Sequence, residues 1–329
     1  MTYSLAPLAG FTDAPFRRLC HEGGADLAYT EMVSAAGLAH GSSPTRHLLL
    51  TMPGEGPVGC QLFGAKETDV ACAADFVTRT QGTEHPFAEL NLNAGCPMAK
   101  VTREGAGAKL AEDPERVFRL LKAMKENTSL PVTLKTRLGP HPARTAIFEL
   151  LDAAQAAGAQ KIIVHARYTS QLHGGPVHLD TLSEVVRRAR IPVVGNGSVT
   201  DARTAAKMAA TGVAGVMVGR AALAHPAIFA QLKGQADATS TPPKGPAHEA
   251  HWPFQAHLSY LLSFRDLLAA RFPHDHIPSP DGFASVKMHV HLFRYFSGRP
   301  GAAELRRRLN SVRTLAEMQG LVAPFLREP

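Results

Sequence analysis

The chain has 329 residues, a formal charge of +7, 45% hydrophobic and 19% charged residues. Its length suits about two domains of ~150 residues, or a barrel of up to about 250 with an appendage. The composition excludes disorder over most of the length, and no stretch approaches the roughly 18 consecutive apolar residues of a membrane span.

In chain order, short Val-, Ile- and Leu-rich runs predict strands over 4–8, 26–30, 58–62, 88–92, 132–135, 161–164, 191–195 and 215–218. Helical patterns lie between the clearest of them, over 68–79, 114–126, 145–157, 179–189 and 201–210. Asp113 before Pro114 is an N-cap with a proline at the first helical position, and Gly158 fits the left-handed residue that ends a helix. A βα alternation sustained over about 230 residues predicts an α/β fold, a (β/α)8 TIM barrel, with an open doubly wound sheet as the alternative. Around 234–246 the pattern breaks into Gly, Ser, Thr, Lys and Pro; the remainder of the chain is helical in pattern and holds no strand candidate. The expected organisation is a barrel over 1–233, a linker over 234–250 and a small helical domain over 251–329.

In such a barrel the chemistry sits at the C-terminal ends of the strands. The first strand runs into Pro7-Leu8-Ala9-Gly10, small enough for a flat ring to lie on the backbone, although a simple turn would use the same residues. The third ends at Gln61, whose amide offers a donor and an acceptor to a ring edge or satisfies the core rim. The fourth runs Asn91-Leu92-Asn93-Ala94-Gly95-Cys96-Pro97, with both asparagines on one side. Cys20, Cys60, Cys72 and Cys96 lack CxxC spacing, so neither a disulfide scaffold nor a thiolate zinc site is expected; no metal is assigned, and the thiols suit a reducing cytoplasm. The sequence starts directly with the first strand, so no secretory leader is expected. Cys20, Cys60 and Cys72 read as inert core thiols, whereas Cys96 sits in a glycine-proline turn where a thiol can act as a proton donor. Lys100, Arg103, Gly105 and Gly107 then form a basic loop suited to a phosphodiester backbone.

The fifth strand ends in Lys135-Thr136-Arg137, and a buried lysine needs an anion. The sixth ends in His165-Ala166-Arg167, where the histidine could equally be structural. The seventh and eighth end in Gly195-Asn196-Gly197-Ser198 and Gly219-Arg220, the usual phosphate loops of such barrels. Finally, residues 285–313 hold seven basic residues (Lys287, Arg294, Arg299, Arg306, Arg307, Arg308, Arg313) against the single acid Glu304. This stretch is either a solvated helix face or a phosphate grip, and Lys287 and Arg294, two turns apart, would share a face.

Taken in order, Ala6-Pro7-Leu8-Ala9-Gly10-Phe11-Thr12-Asp13, Gln61-Leu62-Phe63-Gly64, Asn93-Ala94-Gly95-Cys96-Pro97 with Lys100 and Gly105-Ala106-Gly107, Lys135-Thr136-Arg137-Leu138-Gly139, Val164-His165-Ala166-Arg167, Gly195-Asn196-Gly197 and Gly219-Arg220 resemble the tRNA-dihydrouridine synthases, FMN-dependent enzymes that reduce uridine in RNA. The likeness spans roughly residues 1–233, and the Asn-x-Gly-Cys-Pro segment is its most diagnostic part; the helical tail is similar to the family's RNA-binding domain more loosely. Ala166, Ser198 and Ala221 depart from the residues common in the family, but none removes a side chain the chemistry needs.

The resemblance implies that Pro7, Leu8 and Ala9 line the flavin, that Gln61 and Lys135 bond its ring, that Asn196, Gly197, Ser198, Gly219 and Arg220 hold its phosphate, and that His165 closes the site. It further implies that Asn93, Lys100, Arg137 and Arg167 meet the substrate, with Lys287 and Arg294 on the RNA body. Hydride would pass from reduced FMN to C6 of a flipped uracil, Cys96 would protonate C5, and NADPH would reload the flavin. The partner would be tRNA or another structured RNA, with no membrane and no obligate protein partner evident. Two other readings are a flavin barrel acting on a free pyrimidine, which has no use for a basic tail, and an RNA-binding protein on a dead barrel, which would not keep Cys96 and Lys135.

Overall fold

The computed structural model describes residues 1–80, 86–234, 252–297 and 300–326. Eight parallel strands close a barrel in sequence order: β1 Thr2–Leu5, β2 Leu27–Ser34, β3 Val58–Phe63, β4 Glu89–Ala94, β5 Val132–Arg137, β6 Lys161–His165, β7 Val193–Asn196 and β8 Gly215–Val218. β1 pairs with both β2 and β8, so no edge is left open. All eight expected strands are present, and the closed sheet excludes the doubly wound alternative.

Where boundaries differ, the backbone explains it. β1 stops at Leu5, short of the predicted residue 8: Ala6 still donates to the Val218 carbonyl, but Pro7 has no N–H to continue the ladder. β7 begins at Val193, after Pro192, for the same reason. β4 and β5 run further than predicted, through Asn93 and Arg137, because a barrel interior at its mouth accepts polar side chains that a sequence pattern assigns to loops.

The helices between strands pack a continuous apolar layer around the barrel. Helix Pro114–Glu126 falls where its signals put it, with the Asp113 side chain accepting from the Arg116 N–H. Gly158 takes φ +78° after helix Ile147–Ala156, as a left-handed helix end requires. Cys20 and Cys60 are buried as expected, but Cys72 is exposed, because it lies on the solvent side of helix Glu67–Thr80.

The tail is helical: Trp252–Arg271, Pro280–Tyr295, Ala302–Leu309 and Leu315–Leu326. A second apolar cluster unites these helices with Ala14, Leu50 and Met52 of the barrel side, which seats the tail on the first two βα units. Polar pins reinforce the seat: Tyr260 Oη donates to Glu22 at 2.6 Å, and His47 Nε2 lies 2.7 Å from Asp275. Helix Pro280–Tyr295 lies across the mouth side of β8 and β1, against helix Arg220–Ala224 and with His291 edge-on to Phe11. Except for Gly234, the expected linker over 234–250 lies outside the described residues, as does Arg299. No helix among the described residues is long and apolar enough to cross a membrane.

Candidate active site

Register builds the site. Pairing of Asn93 with Lys135, of Arg137 with His165 and of His165 with Asn196 places these side chains on neighbouring strand ends at one mouth. Asn93 shapes the turn that carries Cys96: its Oδ1 accepts from the Gly95 N–H at 3.1 Å and the Cys96 N–H at 3.0 Å. Its Nδ2 donates to Gln61 Oε1 at 2.8 Å, Gln61 Nε2 donates to Asn91 Oδ1 at 2.7 Å, and Asn91 Nδ2 donates to Thr133 Oγ1 at 2.8 Å. Thr133 in turn donates to Glu89 at 2.8 Å, which also takes Tyr29 Oη and Lys161 Nζ. A buried chain of amides and hydroxyls therefore runs down the barrel axis and fixes the orientation of the Cys96 turn. Sequence reasoning offers the Gln61 amide to a ring edge; the structure engages one donor and one acceptor of it in this chain, leaving one of each. Asn91 reads in the sequence only as a same-side neighbour of Asn93, and its bridging place depends on strand register.

Cys96 itself is half-buried on the loop, with its carbonyl accepting from the Ala108 N–H at 2.8 Å. Gly107 lies directly beneath: it takes φ +60°, and a Cβ there would stand 2.6 Å from the Cys96 carbonyl oxygen. The last glycine of the expected basic loop is thus a buried seat for the cysteine. Lys100 and Arg103, beyond the turn, are exposed.

Opposite, the mouth is cationic. Lys135 Nζ donates to Asn196 Oδ1 at 3.2 Å, and Asn196 Nδ2 is anchored on the Met217 carbonyl. Burial, and then the Arg137 charge, push the Lys135 ammonium down to about 7. Arg137, 2% exposed, donates from Nε to the Gly95 carbonyl at 2.9 Å and from Nη1 to the Leu172 carbonyl at 2.7 Å, so it ties the Cys96 turn to the loop after β6. Arg167 grips the same loop through the Gly174 and Gly175 carbonyls, and its Nη2 donates to Ser198 Oγ at 2.6 Å. The family resemblance sets both arginines at the substrate; the structure places their guanidinium groups on loop carbonyls, a geometry that suits their planar forks.

His165 is held well below its ordinary value by burial first and by Lys135, Arg137 and Arg167 after it, so it is neutral. Arg167 Nη1 lies 3.3 Å from its Nε2, which assigns the ring proton to Nδ1. Gly197, at φ +124°, passes so close to His165 that a Cβ would lie 2.9 Å from the ring, and Ser198 comes next at φ +54°. A Cβ on Gly219 would make only ordinary contact with the Ala6 side chain at 3.8 Å and that of Leu8 at 4.0 Å; Arg220 beside it is exposed. Pro7, Leu8 and Ala9 form the loop after β1, tied by the Leu8 N–H to Thr12 Oγ1 and by the Gly10 N–H to Glu31.

Among the described residues, none of Lys135, Arg137, Arg167 and Arg220 pairs with a carboxylate. Three arginines and a lysine whose charge an anion would favour leave the mouth complementary to an anion. With Gly197 and Gly219 at the ends of β7 and β8 beside them, the residues fit a phosphate-bearing, flat cofactor.

The tail divides the two residues expected on RNA. Lys287 Nζ stands 3.5 Å from Asp13 Oδ2 and is a third exposed; Asp13 raises its affinity for the proton more than burial lowers it, with Glu31 adding to the rise. It docks helix Pro280–Tyr295 on the β1 loop. Arg294, two turns on, is exposed.

The family described as "Dihydrouridine synthase (Dus)" matches residues 4–328. The chain is 30% identical over 322 residues to a tRNA-dihydrouridine synthase B of Yersinia pestis, covering 97% of this chain and 94% of the relative. It is 34% identical over 321 residues to a probable tRNA-dihydrouridine synthase of Rhodobacter capsulatus, covering 95% and 92%. Among solved structures, morphinone reductase aligns with a TM-score of 0.50 at 12% identity, over 74% of this chain and 88% of that one, a likeness of fold alone. A match this long, on a barrel that brings Asn93, Cys96 and Lys135 together, makes the chain a member of the dihydrouridine synthase family.

Proposed function

We propose that this chain is an FMN-dependent tRNA-dihydrouridine synthase that reduces the C5–C6 bond of a uracil in tRNA, drawing electrons from NADPH. The observation that carries this reading is the anchoring of Cys96 on the side-chain oxygen of Asn93, directly across the β4–β5 register from an uncompensated Lys135. When bound, FMN would supply the hydride delivered to C6. Lys135 would offer a positive charge to the flavin ring, and Asn196, Gly197, Ser198, Gly219 and Arg220 would hold its phosphate. Pro7, Leu8 and Ala9 would form the apolar wall, and neutral His165 would close the site without adding a charge. Cys96 would give its proton to C5. Arg137 and Arg167 would support this arrangement by fixing the loops, while Lys100 and Arg294 would meet RNA phosphates. A tRNA substrate also supports a cytoplasmic location.

The test is direct. Purified protein with FMN and NADPH should form dihydrouridine in unmodified tRNA and not in free uracil, read by nucleoside mass spectrometry. Its tRNA affinity should fall with salt, and Arg294→Ala should flatten the slope of log affinity against log salt by about 0.7–0.9, one contact's worth. Turnover of free uracil without any on tRNA would return the chain to the small-metabolite reading, and an unaltered slope would return Arg294 to solvent.

A further inference from the structure

The large apolar side chains left exposed are unevenly placed. Apart from Met1, those among the described residues are Met98 (62%), Leu172 (55%), Val286 (72%) and Val290 (37%). Met98 comes just after the Cys96 turn that ends β4, and Leu172 lies in the loop after β6. The valines sit on the helix packed across the mouth side of β8 and β1.

Leu172 is unusual in a second way. It takes φ +51° and ψ −103°, a conformation a leucine adopts only when its surroundings impose it. Here they do. Arg137 takes its carbonyl, Arg220 donates to the His173 carbonyl at 3.4 Å, and Arg167 takes those of Gly174 and Gly175. Three arginines thus hold a strained turn whose one apolar side chain is left to solvent. The same Arg137 also holds Gly95, three residues before Met98, so one guanidinium bonds both of the loops that carry the exposed apolar residues. Strain kept at a site mouth and aimed at solvent is a mark of function rather than of folding.

We propose that Leu172 and Met98 are the apolar pair against which the bases flanking the target uridine rest once it leaves its stack. This deepens the proposed function and depends on it. A uridine must leave its neighbours to reach a buried mouth, which exposes base faces that water covers poorly. Apolar side chains next to unneutralised cations match that occupant: contact surface for the bases, charge for the backbone. Carbonyls and not carboxylates occupy these arginines, so their net charge remains and favours a polyanion over a protein segment.

Glycine suits the backbone at 172, so Leu172→Gly removes the side chain without lowering the melting temperature. The expected result is a fall in kcat/KM on unmodified tRNA of about tenfold, the size of one lost base stack, with Leu172→Met restoring it to within about twofold. Met98→Ala should act in the same direction. A Leu172→Gly enzyme that matches the wild type on tRNA overturns the inference. So does a loss that Leu172→Met does not restore, or one that a lower melting temperature accounts for. If the wild-type protein forms no dihydrouridine in tRNA at all, the proposed function itself fails, and the apolar pair with it.

Discussion

Cys96→Ala is expected to lower dihydrouridine formation by about 10²–10⁴, the usual cost of losing a positioned proton donor, while the protein folds and still takes up FMN. The fold should tolerate the change because the residue is held through its backbone: Asn93 Oδ1 takes its N–H, and its carbonyl takes the Ala108 N–H. Alanine keeps both bonds and the Cβ. The residue is half-buried on the mouth side, so removing the sulfur opens no core cavity. Reduction of the flavin by NADPH in the absence of RNA should persist, and the reduced enzyme should then turn over slowly when tRNA is added, as stopped-flow absorbance would show. Gly107→Ala gives a second form of the same test. It leaves the thiol in place but puts a methyl group 2.6 Å from the Cys96 carbonyl oxygen, so the turn must move. A shift of about 1 Å in a reacting group can cost on the order of 10² in rate. A Cys96→Ala enzyme that forms dihydrouridine at the wild-type rate would make Cys96 only a loop cysteine.

The strand ends are legible in the sequence because their chemistry is local. Glycines closing β7 and β8, a lysine closing an apolar run in β5, and a cysteine between glycine and proline after β4 each announce themselves within a few residues. The features the sequence hides depend on register or on distance along the chain. The axial chain from Asn93 through Gln61 and Asn91 to Thr133 exists because three adjacent strands align in one stagger, which no single strand encodes. Arg137 and Arg167 read as free cations because the carbonyls that occupy them belong to a loop of irregular shape. Lys287 groups with the RNA-facing basic residues by its neighbours in sequence, whereas Asp13, at the far end of the chain, decides its place. The C-terminal boundary of β1 is misread because Ala6-Pro7-Leu8 is apolar enough for a strand, yet only hydrogen bonding defines one.

Lys135→Met should stabilise the cofactor-free protein and weaken FMN binding at the same time. The folded chain holds the ammonium near 7, against about 10.4 in an unfolded chain. Between these values the unfolded state keeps a proton that the folded state has released, so stability of the cofactor-free protein rises with pH across that window. Below about pH 7 the folded protein carries the full cost of a charged ammonium that is buried and stands near Arg137. Methionine removes that cost while filling similar space. Its gain should therefore be greatest at and below neutrality, on the order of 2 kcal/mol once water at the mouth is allowed for, and should fade toward pH 10. An anion in the mouth reverses the preference, because it favours the charged lysine. FMN binding should then take up protons near and above pH 7, so its affinity falls as pH rises from about 7 toward the value Lys135 has with FMN bound. Lys135→Met should bind FMN about 10- to 100-fold more weakly, the worth of one charged hydrogen bond, with a flatter pH profile. Thermal melts of the cofactor-free proteins across pH 6–10, with FMN titrations over the same range, read both effects. A variant that melts below the wild type at pH 6, or that keeps the wild-type affinity and its pH dependence, would show that Lys135 is not the charge this mouth reserves for an anion.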